Sequence, residues 1–320
     1  MLEKIKKKLF ISLGVAGLIY LAFTIYADYN QVIFAFAQFE WFLIPLVLLL
    51  SFLNYISRFI KWDYYLSVLN VKIKKIDSFS IFMSGLIMSV TPGKMGELLK
   101  SYLVKQVTGE PISKTAPIIL VERITDFLSL ILIALIGAYI FDYGRMIVII
   151  VGLFFILLVV IISNKTLSLK MISLLVKIKV LQKFLSSINS AYESSYILLK
   201  PKPLFLMSTF SLISWFLECL GYYIILINFK VDVSIIWASF SYAFATIVGA
   251  ITMLPGGLGV TEGSLTFLLV ENGLATIDVS VASTFIIRAA TLWFAVLVGI
   301  ISVLFYQKRY GRITVDNFNE

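Results

Sequence analysis

The sequence contains no histidine, a single cysteine (Cys219), and few charged residues, which make up only 14% of the chain. One cysteine cannot form an intramolecular disulfide, and without histidine neither a Cys/His zinc site nor a Ser-His-Asp triad can be built. No G-x-x-x-x-G-K-[ST] loop is present, so P-loop ATP hydrolysis by this chain is excluded. So little charge also excludes an ordinary soluble domain. Hydrophobic residues make up 60% of the 320 positions, and the mean hydropathy is +0.98. The chain reads as an all-α, polytopic membrane protein.

The net charge of +9 falls in short clusters between apolar runs: "KIKKK", "KIKK", "KIKVLQK" and "QKRYGR". In that setting, lysine and arginine mark cytoplasmic loops and anionic headgroups, so no nucleic-acid partner is expected. The first residues have a basic start and an apolar stretch, like a signal peptide. That stretch is too long for such a peptide and lacks a clear cleavage site, so it counts as a span.

A crossing needs about 20 predominantly apolar residues. Six stretches qualify, near 9–26, 41–60, 115–140, 145–163, 204–228 and 280–306. Lys4, Lys6, Lys7 and Lys8 precede the first, whereas Asp28 and Glu40 follow it, so both termini are expected in the cytoplasm. Between Lys165 and Lys202, apolar positions Leu167, Met171, Leu174, Leu175, Ile178, Leu181 and Leu185 keep helical spacing with lysines interleaved. Segment 164–202 therefore reads as a basic amphipathic linker on the cytoplasmic leaflet.

Residues 78–107 and 234–272 fit no crossing. Each is a pair of short apolar segments broken by proline and glycine, the pattern of a re-entrant hairpin. The breaks, "SVTPGKMGELLKSYLV" and "TMLPGGLGVTEGSLTFLLV", place Pro92, Gly93, Gly96 and Glu97 over Pro255, Gly256, Gly259 and Glu262. Arg123 and Arg288 lie at equal distances after the two glutamates, each inside the next long span. The order span, broken hairpin, span recurs over 41–140 and 203–306, as in an internal duplication. With the orientation above, the hairpins enter from opposite faces, and the repeat is inverted.

Ionisable residues inside a bilayer cost about 2.5–3.5 kcal/mol each on insertion scales, so a group of them needs a reason. Lys94 and Glu97 open the half-helix after the first break. Glu97 and Glu262 suit the positive end of a helix, while the free amides of both breaks suit an anion. Glu122, Arg123 and Asp126 share one helix face, where Arg123 and Asp126 can pair. Arg288 has no acid within a turn and must find Glu262, Glu97, Glu218 or a ligand anion. Glu218 sits mid-span beside Trp215 and Tyr222, either carrying a proton or neutralising an arginine. Asn54, Arg58 and Lys61 share a face that the cytoplasmic charge bias explains, and Trp41, Trp62 and Trp237 read as interface anchors.

The stretches "TPGKMGELLKSYLV", "VERITDFLSL" and "LPGGLGVTEGSLTFLL" resemble the transmembrane, flippase-like region of lysylphosphatidylglycerol synthases, over about residues 10–306. The resemblance implies a stand-alone form without the aminoacyltransferase domain. The matching residues are Pro92, Gly93, Gly96, Glu97, Glu122, Arg123, Asp126, Pro255, Gly256, Gly257, Gly259 and Glu262. Lys94 stands where the family often has arginine, which supplies charge without a bidentate fork. Three functions follow as expectations. The first is translocation of a phosphate-bearing lipid, an aminoacyl-phospholipid or a polyprenyl-phosphate-linked sugar, across the cell membrane. Its site would comprise Lys94, Glu97, Arg123, Asp126, Glu218, Glu262 and Arg288. The others are an intramembrane enzyme with a carboxylate base and a membrane partner of a separate glycosyltransferase or aminoacyltransferase. No cofactor or metal is expected.

Overall fold

In the computed structural model, residues 14, 17–91, 96–175 and 182–311 are described. Every regular element among them is helical. Five helices are long and apolar enough to cross a membrane: Trp41–Val68, Ile112–Phe141, Arg145–Ser163, Pro201–Asn228 and Ile277–Tyr310. They coincide with five of the six expected spans. The sixth falls mostly outside the described residues. Its described part, helix α1 (Gly17–Tyr26), is short, rising only about 15 Å at 1.5 Å per residue.

After α1 comes α2 (Tyr29–Gln38), capped by the Asp28 side chain, which accepts from the Asn30 amide at 3.0 Å. A short 3₁₀ turn then leads into α3 (Ile44–Val68), with Pro45 in its first turn where a missing N–H costs nothing. The first broken segment follows as α4 (Lys75–Gly85), continued by a 3₁₀ turn (Leu86–Val90), and α5 (Leu99–Thr108). The long α6 (Ile112–Phe141) and α7 (Arg145–Ser163) form the next pair. Among the residues of α7, only Val148 and Gly152 are buried. Val151, Phe155, Leu158, Val159 and Ile162 pack part-buried against the bundle, while Met146, Ile150, Leu153, Phe154 and Leu157 are exposed, as a bilayer permits.

The linker forms α8 (Lys165–Leu175) and α9 (Leu185–Leu198), with 176–181 outside the described residues. Leu167, Met171 and Leu174 on α8 are exposed, whereas α9 buries Ser194, Ser195 and Leu198. Tyr192 of α9 donates to the Ile162 carbonyl of α7 at 3.4 Å. The second half runs through α10 (Pro201–Asn228), α11 (Ile235–Ile251), α12 (Val260–Glu271), α13 (Ile277–Arg288), a π turn (Ala289–Trp293) and α14 (Phe294–Tyr310).

Helices α3 and α10 pack antiparallel. Asn54 Nδ2 donates to the Ser214 carbonyl at 2.7 Å, and Ser57 Oγ donates to that of Phe210 at 3.2 Å. Gly221 lies beside Val47 towards the other end. Elsewhere close approach depends on glycine. A Cβ on Gly299 of α14 would clash with the Ile87 backbone nitrogen, and one on Gly137 of α6 would meet the Phe240 ring. Small residues at such contacts let helices pack without a hydrophobic driving force. The two breaks also touch. Val90, at the end of the 3₁₀ turn after α4, shares an apolar cluster with Leu258, Leu292 and Val296.

Candidate functional site

The site is built where each broken segment meets the long helix that follows it. Pro92, Gly93 and Lys94 lie outside the described residues. Around them, Thr91 Oγ1 accepts the Gly96 amide at 3.1 Å, which joins the two sides of the break. Glu97 occupies the turn before α5, is buried, and receives Arg123 Nη2 on both oxygens, at 3.2 and 3.0 Å. Lys100, one turn on, reaches Glu122 Oε2 at 2.6 Å and Glu97 Oε2 at 3.5 Å. Its ammonium also sits 4.8 Å from the Trp62 ring centroid and 5.1 Å from that of Phe82, within cation–π range.

Asp126 extends this network towards α3. Lys61 Nζ donates to its Oδ1 at 2.8 Å, with Arg123 and Arg58 at 3.6 and 3.7 Å from Oδ2. Ser211 of α10 joins them, accepting from Lys61 while its hydroxyl donates to Asp126 Oδ1 at 2.8 Å. Arg58, Lys61, Lys100 and Arg123 therefore interlock with Glu97, Glu122 and Asp126 across α3, α5 and α6. Pairing alone does not satisfy every group. Glu122 Oε1, Arg123 Nε and Asp126 Oδ2 are buried without a hydrogen-bond partner among the described residues. Such atoms are costly in a low-dielectric interior unless something polar meets them.

The second break is glycine-dependent in its backbone. Gly256, Gly257 and Gly259 adopt φ of 60°, 67° and 83°, a region that costs other L-residues about 1–2 kcal/mol. The resulting turn aims the Gly256 carbonyl at Arg288 Nη2, 2.5 Å away. Arg288 Nε meets Glu262 Oε1 at 2.7 Å, and Glu262 Oε2 accepts the Gly259 amide at 2.7 Å. Glu262 thus caps α12 and binds an arginine at once, combining two of the roles its position suggested. Tyr20 of α1 covers the pair, accepting from Trp293 Nε1 at 2.9 Å and facing Glu262 Oε1 at 3.5 Å. Pro255 starts the 3₁₀ turn at this break.

Glu218 is buried and accepts from the Tyr242 hydroxyl at 2.7 Å. Tyr242 also approaches Thr291 Oγ1 at 3.5 Å, and Tyr55 donates to the Thr291 carbonyl at 2.8 Å.

Two sequence expectations need correction, and two residues were not foreseen. Lys61 and Arg58 are not interfacial charges, since Lys61 is fully buried and both turn towards Asp126. Trp62 and Trp237 are buried rather than anchored at an interface, although Trp41 is exposed. Lys100 and Ser211 were missed altogether. Lys100 lies three residues after Glu97, the spacing of a helical ion pair, and that signal could have found it. Among the described residues no cluster of acids or cysteine could hold a metal ion.

Residues 9–299 match the family described as "Lysylphosphatidylglycerol synthase TM region". A UPF0104 membrane protein of Methanocaldococcus jannaschii is 30% identical over 231 residues, covering 68% of this chain and 92% of its own length. A UPF0104 membrane protein of Methanothermobacter thermautotrophicus is 27% identical over 106 residues, covering 33% of this chain and 31% of its own. A further match of that description in the same organism is 38% identical over 64 residues, 20% of this chain and 19% of that protein. The chain belongs to the lysylphosphatidylglycerol synthase transmembrane-region family and is a multi-pass membrane protein.

Proposed function

We propose that this member of the lysylphosphatidylglycerol synthase transmembrane-region family moves a phosphate-bearing lipid between leaflets of the cell membrane. The carrying observation is that two matched Glu–Arg pairs, Glu97–Arg123 and Glu262–Arg288, lie at two helix breaks that touch each other. A translocase needs polar groups at mid-depth for a headgroup while the tails stay in lipid, and broken helices provide them.

In this reading the chain has six spans and two re-entrant hairpins in an inverted repeat. Support comes from α3 and α10, which cross antiparallel at Asn54 and Ser214, 160 residues apart. The segments opening at Lys75 and Ile235 start at the same interval. The charge distribution supports cytoplasmic termini. Lys72, Lys74, Lys75, Lys105, Lys114, Lys200, Lys202, Lys308 and Arg309 gather near one end of the bundle. Asp28, Glu40, Asp142, Asp232, Glu271 and Asp278 mark the other, with only Arg145 and Lys230 beside them among the described basic residues.

The substrate site comprises Glu97, Arg123, Asp126, Glu262 and Arg288, with Glu218 as a further acid; Lys94, outside the described residues, is assigned to it from the sequence. Arg123 is the hydrogen-bond donor we assign to the phosphate. Its side chain is 18% exposed, more than its partners, and its buried Nε–H has no hydrogen-bond partner among the described residues. The acid–base alternative has less support, because Glu97, Glu122, Asp126 and Glu262 each already hold a cation. A separate glycosyltransferase or aminoacyltransferase would supply the lipid. The test is leaflet exchange of fluorescent phospholipid and polyprenyl-phosphate probes in proteoliposomes. The wild type should accelerate exchange of at least one probe, and Arg123→Ala with Arg288→Ala should abolish it. Undiminished exchange in a folded double variant would contradict the site.

A further inference from the structure

A groove of about 500 Å³ opens between the first turns of α4 and the last turns of α14, well along the chain from the paired arginines. Its apolar wall is formed by Ile76, Phe79 and Phe305, and its charged rim by Asp77, Lys308 and Arg309. Phe305 is 68% and Ile76 62% exposed, so the wall opens sideways rather than into the bundle. Arg309 Nε reaches Asp77 Oδ1 at 3.2 Å, which orients the guanidinium at the rim. Lys308 has no ion pair or hydrogen bond among the described residues, and the exposed Lys74 and Lys75 precede Ile76 in the chain. The rim therefore carries Lys308 and Arg309 against the carboxylate of Asp77.

An apolar lateral wall beneath a basic rim is complementary to one class of molecule: a lipid whose headgroup is anionic and whose tail leaves sideways. A soluble anion would use the rim and leave Phe79 and Phe305 bare. A neutral lipid would use the wall and leave Lys308 unpaired. Basic pockets between helices at the cytoplasmic boundary are suited to anionic headgroups on general electrostatic grounds. We propose that this groove holds one anionic glycerophospholipid as a boundary lipid, its phosphate on Lys308 and Arg309 and one acyl chain along Phe79 and Phe305. The site is separate from the Glu–Arg pairs and does not depend on the transport reading.

The experiment uses the full chain in mixed detergent–lipid micelles. A Phe305→Trp variant places an indole on the wall, and its quenching by brominated phosphatidylglycerol is compared with that by brominated phosphatidylcholine. The quenching attributable to residue 305 is the difference from the wild-type protein. One basic side chain near an anionic headgroup contributes about 5-fold in binding. The glycerol lipid should therefore quench at several-fold lower mole fraction, and adding Lys308→Ala should reduce that preference about 5-fold. Lys308 is exposed and unpaired, so this change leaves the fold intact. Inorganic phosphate at millimolar concentration should not displace the quencher. Equal quenching by the two lipids, a preference untouched by Lys308→Ala, or displacement by phosphate alone would each overturn the proposal.

Discussion

Arg288 Nε lies 2.7 Å from Glu262 Oε1, and the two residues are 26 positions apart. The same interval separates Glu97 from Arg123, which meet at 3.0 Å. In each case a glutamate at a helix break is held by an arginine inside the following long helix. The second pair also fixes a backbone turn, because Arg288 grips the Gly256 carbonyl as well.

Breaking one side of this buried pair should be costly. Removing one partner of a buried ion pair costs about 3–5 kcal/mol, since the other charge is stranded. Arg288→Ala should therefore destabilise the protein by that amount in detergent unfolding experiments. Glu262→Ala combined with Arg288→Ala should cost clearly less than the sum of the single changes. Strict additivity would show that the pair is not energetically coupled.

Lys61 makes a similar prediction in the first network. Lys61→Met strands Asp126 beside Ser211, with two arginines more than 3.5 Å away. A loss of about 3 kcal/mol is expected, and Asp126→Asn in the same chain should recover a large part of it. Thermal unfolding of the two variants checks this; a mild Lys61→Met would mean that Arg58 and Arg123 already neutralise the acid.

Two glycines separate conformational from steric requirements. Gly256→Ala should cost about 1–2 kcal/mol from its left-handed φ of 60°, and it should weaken the Arg288 contact by tilting the carbonyl. Gly299→Ala acts differently. Alanine normally stabilises a helix interior relative to glycine, yet here the added methyl meets the Ile87 backbone. Overpacking of that kind costs about 1–3 kcal/mol. A stabilised Gly299→Ala protein would mean that α14 and the first hairpin can separate freely.

Much of this arrangement was legible in the chain, and what was not has a physical cause. Long apolar runs read as helix in lipid, so four spans emerged within four residues of their observed ends, while the one expected over 41–60 runs on to Val68 because its last turns carry the buried polar residues Lys61 and Tyr65. The equal Glu-to-Arg spacing at the two breaks was legible, but the partners were not: Arg123 was expected on Asp126 and holds Glu97 more closely, and Arg288 was left open among Glu262, Glu97, Glu218 and a ligand anion. Lys61 and Arg58 were misread because, in one dimension, a cation near a helix end looks like a loop anchor. Only the packing of α3 against α6 and α10 reveals that it points inward at Asp126. Trp62 was misread for the same reason, and its partner Lys100 lies on another helix. Ser211 could not have been singled out, since a serine in an apolar span carries no signal until its neighbours are known.

The central claim is that the two broken segments enter from opposite faces and bring their Glu–Arg pairs together. Single cysteines on a Cys219→Ser background test it most directly, using Lys75→Cys at the base of the first hairpin and Glu271→Cys at the base of the second. Both native residues are exposed. A membrane-impermeant maleimide should label Lys75→Cys only from the cytoplasmic side and Glu271→Cys only from the opposite side. Labelling of both from one side would contradict the inverted arrangement and the site built on it.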